Sequence, residues 1–161
     1  MRYDRLKILI VDDNSHVRAM ITEILRALGC QDLMEASDGT EGLHVLRHRP
    51  VDIVITDLEM QPLDGLEFTH LVRNSPESPN RTIPIIMLTG HATLRRVAEA
   101  RDAGVNEFLT KPLTARAVIG RISQVIEHPR AFVRTDAYFG PDRRRRADPN
   151  HPGPFRRSTD R

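Results

Sequence analysis

Cysteine, tryptophan and long apolar runs are scarce or absent in this chain, and their absence excludes several classes of protein. The one cysteine, Cys30, has no second cysteine to pair with, so a disulfide framework is excluded and a reducing compartment is expected. No apolar stretch approaches the length of a membrane span, and residues 1–5 are too polar for a signal-peptide core. We therefore expect a cytoplasmic protein with no membrane association. Hydrophobic residues still make up 39% of the 161 residues, which is enough for a core.

The small net charge of +2 hides an uneven distribution of charge along the chain. Residues 1–127 hold 15 Lys and Arg against 18 Asp and Glu, a net charge of −3. Residues 128–161 hold 9 Arg against 4 Asp, a net charge of +5, and include 5 of the 11 prolines. Apolar residues occur there without a period. We therefore predict a domain at residues 5–127 and a basic Pro/Arg-rich tail at residues 128–161, which we expect to be extended, disordered or only partly docked.

Short aliphatic runs alternate with amphipathic patterns as far as residue 127. The predicted strands are residues 7–11, 33–36, 51–56, 83–88 and 107–110. The predicted helices are residues 15–28, 39–49, 65–72, 93–103 and 114–127. Such alternation is typical of a doubly wound α/β fold, because right-handed crossovers place helices on both faces of a parallel sheet. We therefore predict a five-stranded parallel sheet with helices on both faces, followed by an extended C-terminal tail.

Reactive side chains stand at or just past the ends of four predicted strands: the pair Asp12 and Asp13, then Asp57, Thr89 and Lys111. Ligand sites of parallel sheets lie beyond the carboxyl ends of the strands, so these side chains should share one pocket. Three carboxylates suit a divalent cation, and a carboxylate can also accept a phosphoryl group. Each residue alone has a plain structural explanation, such as the start of a helix or a solvated lysine. Their joint occurrence on consecutive strands makes coincidence improbable.

The same residues resemble the receiver domain of two-component response regulators, and the resemblance covers about residues 7–127. The run DLEMQPLDG at residues 57–65 is similar to the family's D-x-x-M-P-x-M-D-G motif. The spacing from Asp57 to Asp64 and Gly65 is kept, whereas the proline is displaced by one position to Pro62. The resemblance implies a flavodoxin- or CheY-like fold and a response regulator that is phosphorylated in a two-component system or phosphorelay.

The resemblance also assigns a role to each acidic residue. Asp57 would accept the phosphoryl group, and Lys111 would contact it. Mg²⁺, or Mn²⁺ in its place, would be bound by Asp13, by Asp57 and by the backbone carbonyl of Glu59, with Asp12 acting partly through water. The chain would promote only its own phosphorylation and dephosphorylation, so we do not expect an enzyme that turns over external substrates.

Three further expectations concern the surroundings of Asp57. Thr89 and Phe108 would form the switch pair, the hydroxyl moving toward the phosphoryl group and the aromatic ring turning inward. The side chains of Glu59 and His91 would tune the rate of dephosphorylation. The Lys111–Pro112 peptide bond is a candidate for the cis form.

The expected partners are a sensor histidine kinase or a histidine phosphotransfer protein, and an unidentified downstream protein that reads the face made by the fourth helix, fifth strand and fifth helix. The resemblance leaves a homodimer open. The tail has no spacing typical of a sequence-reading DNA-binding domain, so contact with nucleic acid is less favoured than protein contact or docking on the domain itself.

We expect a stand-alone receiver. Three alternatives stay open: a receiver-like binding module without phosphorylation, a nucleic-acid-associated regulator acting through its tail, and a phosphatase of the haloacid dehalogenase type. The last normally has a second aspartate two residues after the nucleophile, where this chain has Glu59.

Overall fold

The computed structural model describes residues 3–90, 94–135 and 137–142. Its centre is a five-stranded parallel sheet with the order β2-β1-β3-β4-β5. The strands are β1 (Lys7–Val11), β2 (Asp32–Ala36), β3 (Ile53–Asp57), β4 (Ile85–Thr89) and β5 (Glu107–Thr110). The helices are α1 (Ser15–Ala27), α2 (Gly39–His48), α3 (Gly65–Asn74), α4 (Leu94–Ala103) and α5 (Ala115–Glu127), preceded by a 3₁₀ turn at Tyr3–Arg5. The predicted doubly wound fold is confirmed.

Two apolar layers cover the two faces of the sheet. On one face the strands pack against α1 and α5 through Ile21, Leu25, Val118 and Ile122. On the other face α2, α3 and α4 supply the packing, with Phe68 at the centre. All five residues of β3 and of β4 are buried, as expected for inner strands of a sheet that is covered on both sides. The carboxyl ends of the inner strands therefore emerge from a rigid core.

The ends of the helices follow from local chemistry. The side chains that accept hydrogen bonds from the first-turn N–H groups belong to Asn14, Asp38, Asp64 and Thr114. Asp64 and Glu67 form a reciprocal capping box at the start of α3. Gly29 and Gly104, at which α1 and α4 were predicted to stop, have φ angles of 103° and 107°.

The strand bounds differ slightly from the predicted ones. The third and fourth strands begin two residues later than predicted, at Ile53 and Ile85, and each extends one residue further. As a result, Asp57 and Thr89 are the last residues of β3 and β4, and both remain in register with the neighbouring strand.

The segment after α5 is partly folded, whereas the sequence predicted no strands there and left an extended, disordered or only partly docked tail open. Residues 132–134 (β6) and 139–141 (β7) form an antiparallel hairpin. Tyr138 is buried and its hydroxyl donates to the carbonyl of Pro141 at 2.8 Å. The aperiodic aromatic residues of the tail explain the difference, because they pack on a local site rather than along a regular face.

The hairpin covers a buried arginine, Arg73, near the end of α3. The Arg73 guanidinium lies 4.9 Å from the centre of the Phe132 ring, and Gly140 approaches the backbone of Gly104. A Cβ on Gly140 would lie 2.9 Å from the Gly104 Cα, so this close backbone contact needs glycine. The predicted division of the chain at residue 127 remains a prediction, and the arginine run at 143–146 lies outside the described residues. Among the described residues, every helix is too short or too polar to span a bilayer.

Candidate phosphoryl-accepting and metal site

The register of the sheet brings the predicted site residues to one edge. Val11 pairs with Thr56, so Asp12 lies level with Asp57. Asp57 in turn pairs with Leu88, the residue before Thr89. Lys111 follows β5, and its backbone N–H donates to the carbonyl of Thr89 at 2.9 Å. Parallel pairing alone therefore places residues that are far apart in sequence at the carboxyl edge of the sheet.

Three carboxylates meet there, as the sequence predicts. One carboxylate oxygen from each of Asp12, Asp13 and Asp57 lies within 4.8 Å of the others. The Lys111 Nζ is 3.1 Å from Asp57 Oδ1 and 4.0 Å from Asp12 Oδ2. Asp12 and Asp57 are buried, whereas Asp13 is exposed at the mouth of the site. The lysine thus neutralises part of a local excess of negative charge.

Burial disfavours the ionised forms of the two inner carboxylates, Asp12 and Asp57. It raises the pKa of Asp12 to about 6, against the opposing hydrogen bond from the Asn14 backbone N–H. Burial likewise raises the pKa of Asp57, and the hydrogen bond and positive charge of Lys111 oppose that rise. A cation bound between the carboxylates would act in the same direction as Lys111 and favour the ionised forms of both.

The site fits a divalent cation with a preference for oxygen ligands. Asp12 Oδ1 accepts a hydrogen bond from the Asn14 N–H at 2.8 Å, but the buried Asp12 Oδ2 has no hydrogen-bond donor among the described residues. An unsatisfied buried oxygen costs free energy unless something binds it. Three carboxylates at this spacing supply the hard ligands that Mg²⁺ and similar ions prefer.

The loop from β3 to α3 packs tightly against the acceptor strand. The Gly65 N–H donates to the Leu58 carbonyl at 2.8 Å, and a Cβ on Gly65 would collide with the Asp57 carbonyl oxygen. Glycine is therefore required at the end of the DLEMQPLDG motif. Both X–Pro bonds beside the site, Gln61–Pro62 and Lys111–Pro112, are cis.

Two arginines lie near the acid site although the sequence did not place them there. Arg18 donates to the Asp12 carbonyl at 2.6 Å and forms an ion pair with Glu35 at 2.9 Å, which supports the loop carrying the acidic pair. Arg96 lines an open cleft in front of the site together with Asp13 and Glu59. The sequence offered no signal for Arg96, because only the packing of α4, in which Ala100 four residues later is buried, distinguishes it from Arg95.

The expected switch pair also comes together. Thr89 is buried, Phe108 is half-buried, and both line a crevice between α4 and the sheet. Glu59 is exposed in the cleft. His91 lies outside the described residues, so its expected position is not assigned.

The chain matches the family model of the response regulator receiver domain over residues 8–123. It is 34% identical over 122 residues to chemotaxis protein CheY-3 of Vibrio cholerae, with 76% of this chain and 92% of that protein covered. It is 36% identical over 122 residues to chemotaxis protein CheY of Pseudomonas aeruginosa, covering 76% of this chain and 97% of that protein.

Solved structures agree with this assignment. Chemotaxis response regulator CheY4 of Vibrio cholerae superposes with a TM-score of 0.69 at 28% identity, covering 75% of this chain and 98% of that one. The receiver domain of a sensor histidine kinase from Pseudomonas aeruginosa gives a TM-score of 0.64 at 30% identity, with 74% and 94% covered. That structure is described with a magnesium ion coordinated in its active site cleft.

The chain therefore belongs to the response regulator receiver domain family. Its resemblance to two-component receivers, predicted from the sequence, is confirmed. Membership of this CheY-type group does not favour the alternatives of a phosphatase, a binding module without phosphorylation or a nucleic-acid-associated regulator.

Proposed function

We propose that this receiver accepts a phosphoryl group on Asp57 from the phosphohistidine of a sensor histidine kinase or a histidine phosphotransfer protein. An oxygen of the Asp57 carboxylate attacks phosphorus, the bond between phosphorus and the histidine nitrogen breaks, and the imidazole leaves. The product is an aspartyl phosphate, which water later hydrolyses to restore the carboxylate and release inorganic phosphate.

Asp12, Asp13, Asp57 and the backbone carbonyl of Glu59 would hold Mg²⁺, or Mn²⁺ in its place. The bound cation would neutralise negative charge on the phosphoryl oxygens during transfer. The Lys111 ammonium lies beside the Asp57 carboxylate and would pair with another phosphoryl oxygen. The observation that carries this proposal is the meeting of three carboxylates within 4.8 Å, with Lys111 3.1 Å from Asp57.

The output is proposed to run through Thr89 and Phe108. Phosphorylation adds nearly two negative charges and strong hydrogen-bond acceptors, which would attract the Thr89 hydroxyl. Phe108 shares the crevice with Thr89 and would move inward as the hydroxyl leaves. The changed face of α4, β5 and α5 would then control a downstream protein, and Glu59 and His91 would tune the lifetime of the phosphorylated state.

Intact mass spectrometry after incubation with acetyl phosphate and Mg²⁺ tests the acceptor. We expect one phosphoryl adduct on the wild-type chain, none on Asp57→Asn, and an unchanged adduct on the control Asp32→Asn, whose carboxylate lies on the edge strand β2. Omitting Mg²⁺ should abolish the adduct. An adduct that persists on Asp57→Asn would contradict the proposed acceptor.

A further inference from the structure

A second cation faces the acid site from α4. Arg96 lines the open cleft that also contains Asp13, Glu59 and Asp64. It also lines the crevice of Thr89 and Phe108, so its side chain lies between the entrance of the acid site and the proposed switch pair. Arg96 lies on α4, a helix of the face that would change when Asp57 is phosphorylated.

The cleft has an imbalance of charge that phosphorylation would increase. The carboxylates of Asp12, Asp13, Asp57, Glu59 and Asp64 border the site, and Lys111 is the cation that contacts Asp57. A phosphoryl group on Asp57 carries nearly two negative charges. A guanidinium can bind such a group through two parallel hydrogen bonds, which a single ammonium cannot do.

To bind a phosphoryl group, Arg96 would have to give up an ion pair that it already forms. One of its terminal nitrogens is 2.9 Å from Glu99 Oε1, an ion pair between neighbouring turns of α4. The two side chains are 35% and 37% exposed, so this pair is screened by solvent and weak. A phosphoryl group with nearly twice the charge of Glu99 competes well for the guanidinium.

We propose that Arg96 is the second cation that binds the phosphoryl group on Asp57, and that it exchanges Glu99 for that group when Asp57 is phosphorylated. This inference rests on the proposed function of Asp57. The exchange brings the first turn of α4 toward the acid site and frees the Glu99 carboxylate on the helix. Arg96 would therefore report phosphorylation to α4 independently of Thr89 and Phe108.

Arg95 provides a matched control. It has the same charge, lies on the next position of the same helix and approaches the same Glu99, at 3.8 Å. Its side chain is 87% exposed and lines neither the cleft nor the crevice. An effect of general positive charge on α4 would appear equally in variants of both arginines, whereas a direct role belongs to Arg96 alone.

The test is the affinity for beryllium fluoride in saturating Mg²⁺. This compound gives a tetrahedral phosphoryl analogue when a carboxylate oxygen displaces a ligand of beryllium. Binding can be followed by ¹⁹F NMR, since the chain has no tryptophan for fluorescence. We expect Arg96→Ala to weaken binding about fivefold and Arg95→Ala to change it by less than about 1.5-fold. Glu99→Gln should tighten binding about twofold by removing the competitor, and this gain should vanish in the Arg96→Ala background.

Calorimetric titration with Mg²⁺ alone separates a local electrostatic role from disrupted structure. Loss of a positive charge should leave Mg²⁺ affinity unchanged or slightly higher in Arg96→Ala, whereas a disturbed site would bind both Mg²⁺ and beryllium fluoride more weakly. Equal beryllium fluoride affinity in the wild type and Arg96→Ala, or equal losses in the two arginine variants, would overturn the inference. Absence of analogue binding in the wild type as well would instead contradict the proposed function of Asp57.

Discussion

The two ends of the sheet bury charge in opposite ways. At the carboxyl edge, the buried Asp12 keeps one oxygen without a hydrogen-bond donor among the described residues. Near the amino ends of β4 and β5, Arg73 is 0% exposed and donates to the Gly104 carbonyl, the Arg81 carbonyl and Asn106 Oδ1 at 2.8–3.0 Å. One charged group has an unused ligand atom, and the other has every nitrogen bonded.

This difference separates a binding site from a structural interaction. No described carboxylate lies within 4.0 Å of the Arg73 guanidinium, yet backbone carbonyls, an amide and the Phe132 ring together stabilise it. Burial lowers the pKa of Arg73 to about 9, so the group is still a cation at neutral pH. An unsatisfied buried charge indicates a site for a ligand, whereas a saturated one indicates a constraint on the fold.

The largest expected effect comes from removing Arg73, the buried cation whose nitrogens are all hydrogen-bonded. Arg73→Met keeps much of the volume but leaves the carbonyls of Arg81 and Gly104 without their donors. We expect the free energy of unfolding to fall by about 3 kcal/mol. Denaturant unfolding followed by circular dichroism measures this. The control Arg47→Met removes only an exposed ion pair to Glu77 and should change stability by less than about 0.5 kcal/mol. Equal losses in the two variants would show that burial of Arg73 contributes nothing.

Removing the hairpin should cost less than removing Arg73. A chain ending at residue 128 loses the Phe132 contact and the Tyr138 packing, but Arg73 keeps its three hydrogen bonds and gains water. We expect a loss of about 2 kcal/mol relative to a chain ending at residue 142, because the two chains then differ only in residues 129–142. Matching urea midpoints for the two truncated chains would argue against a stabilising hairpin.

Removing the Asp12 carboxylate, one of whose oxygens has no hydrogen-bond donor among the described residues, should raise the free energy of unfolding instead of lowering it. Asp12→Asn eliminates a buried charge, so we expect the metal-free chain to gain about 1 kcal/mol of stability. The same variant should lose most of the rise in melting temperature that Mg²⁺ gives the wild type. Thermal unfolding with and without Mg²⁺ tests both parts. A variant that is less stable without metal would mean that the Asp12 carboxylate stabilises the fold.

The smallest effect is the pH dependence of that gain. The folded-state pKa of Asp12, about 6, lies above its ordinary value of 3.8, so the folded state binds a proton more readily than the unfolded one. As the pH falls through 6, Asp12 becomes neutral and its burial stops costing free energy. The stability advantage of Asp12→Asn should therefore be full at pH 7–8 and shrink between pH 6 and pH 4. An advantage that is constant over this range would place the Asp12 pKa elsewhere.

The sequence predicts which side chains meet at the acid site, because each of them is marked by the short strand directly before it in the chain. Asp57 and Thr89 end the aliphatic strands β3 and β4. Asp12 and Lys111 directly follow β1 and β5, so parallel pairing brings these four residues together. Errors of two residues in the starts of β3 and β4 do not alter this, because the register fixes their carboxyl ends.

The surroundings of Arg73 could not be predicted in the same way. Its hydrogen-bond partners lie 8, 31 and 33 residues away, and a basic residue in the last turn of a helix is normally solvated. The hairpin strands have three residues each, too few for a period. Arg95 and Arg96 look equivalent in sequence, and only the packing of α4 distinguishes them.

The docked hairpin also fixes the point at which the chain leaves the described part of the domain, at residue 142. Asp142 donates its backbone N–H to the Ala131 carbonyl, beside the Gly104 turn at the amino end of β5. The strands have four or five residues, so this exit lies roughly 15 Å along the sheet from Asp57. A fluorophore attached at residue 142 itself would therefore lie on the side of the sheet remote from the acid cleft.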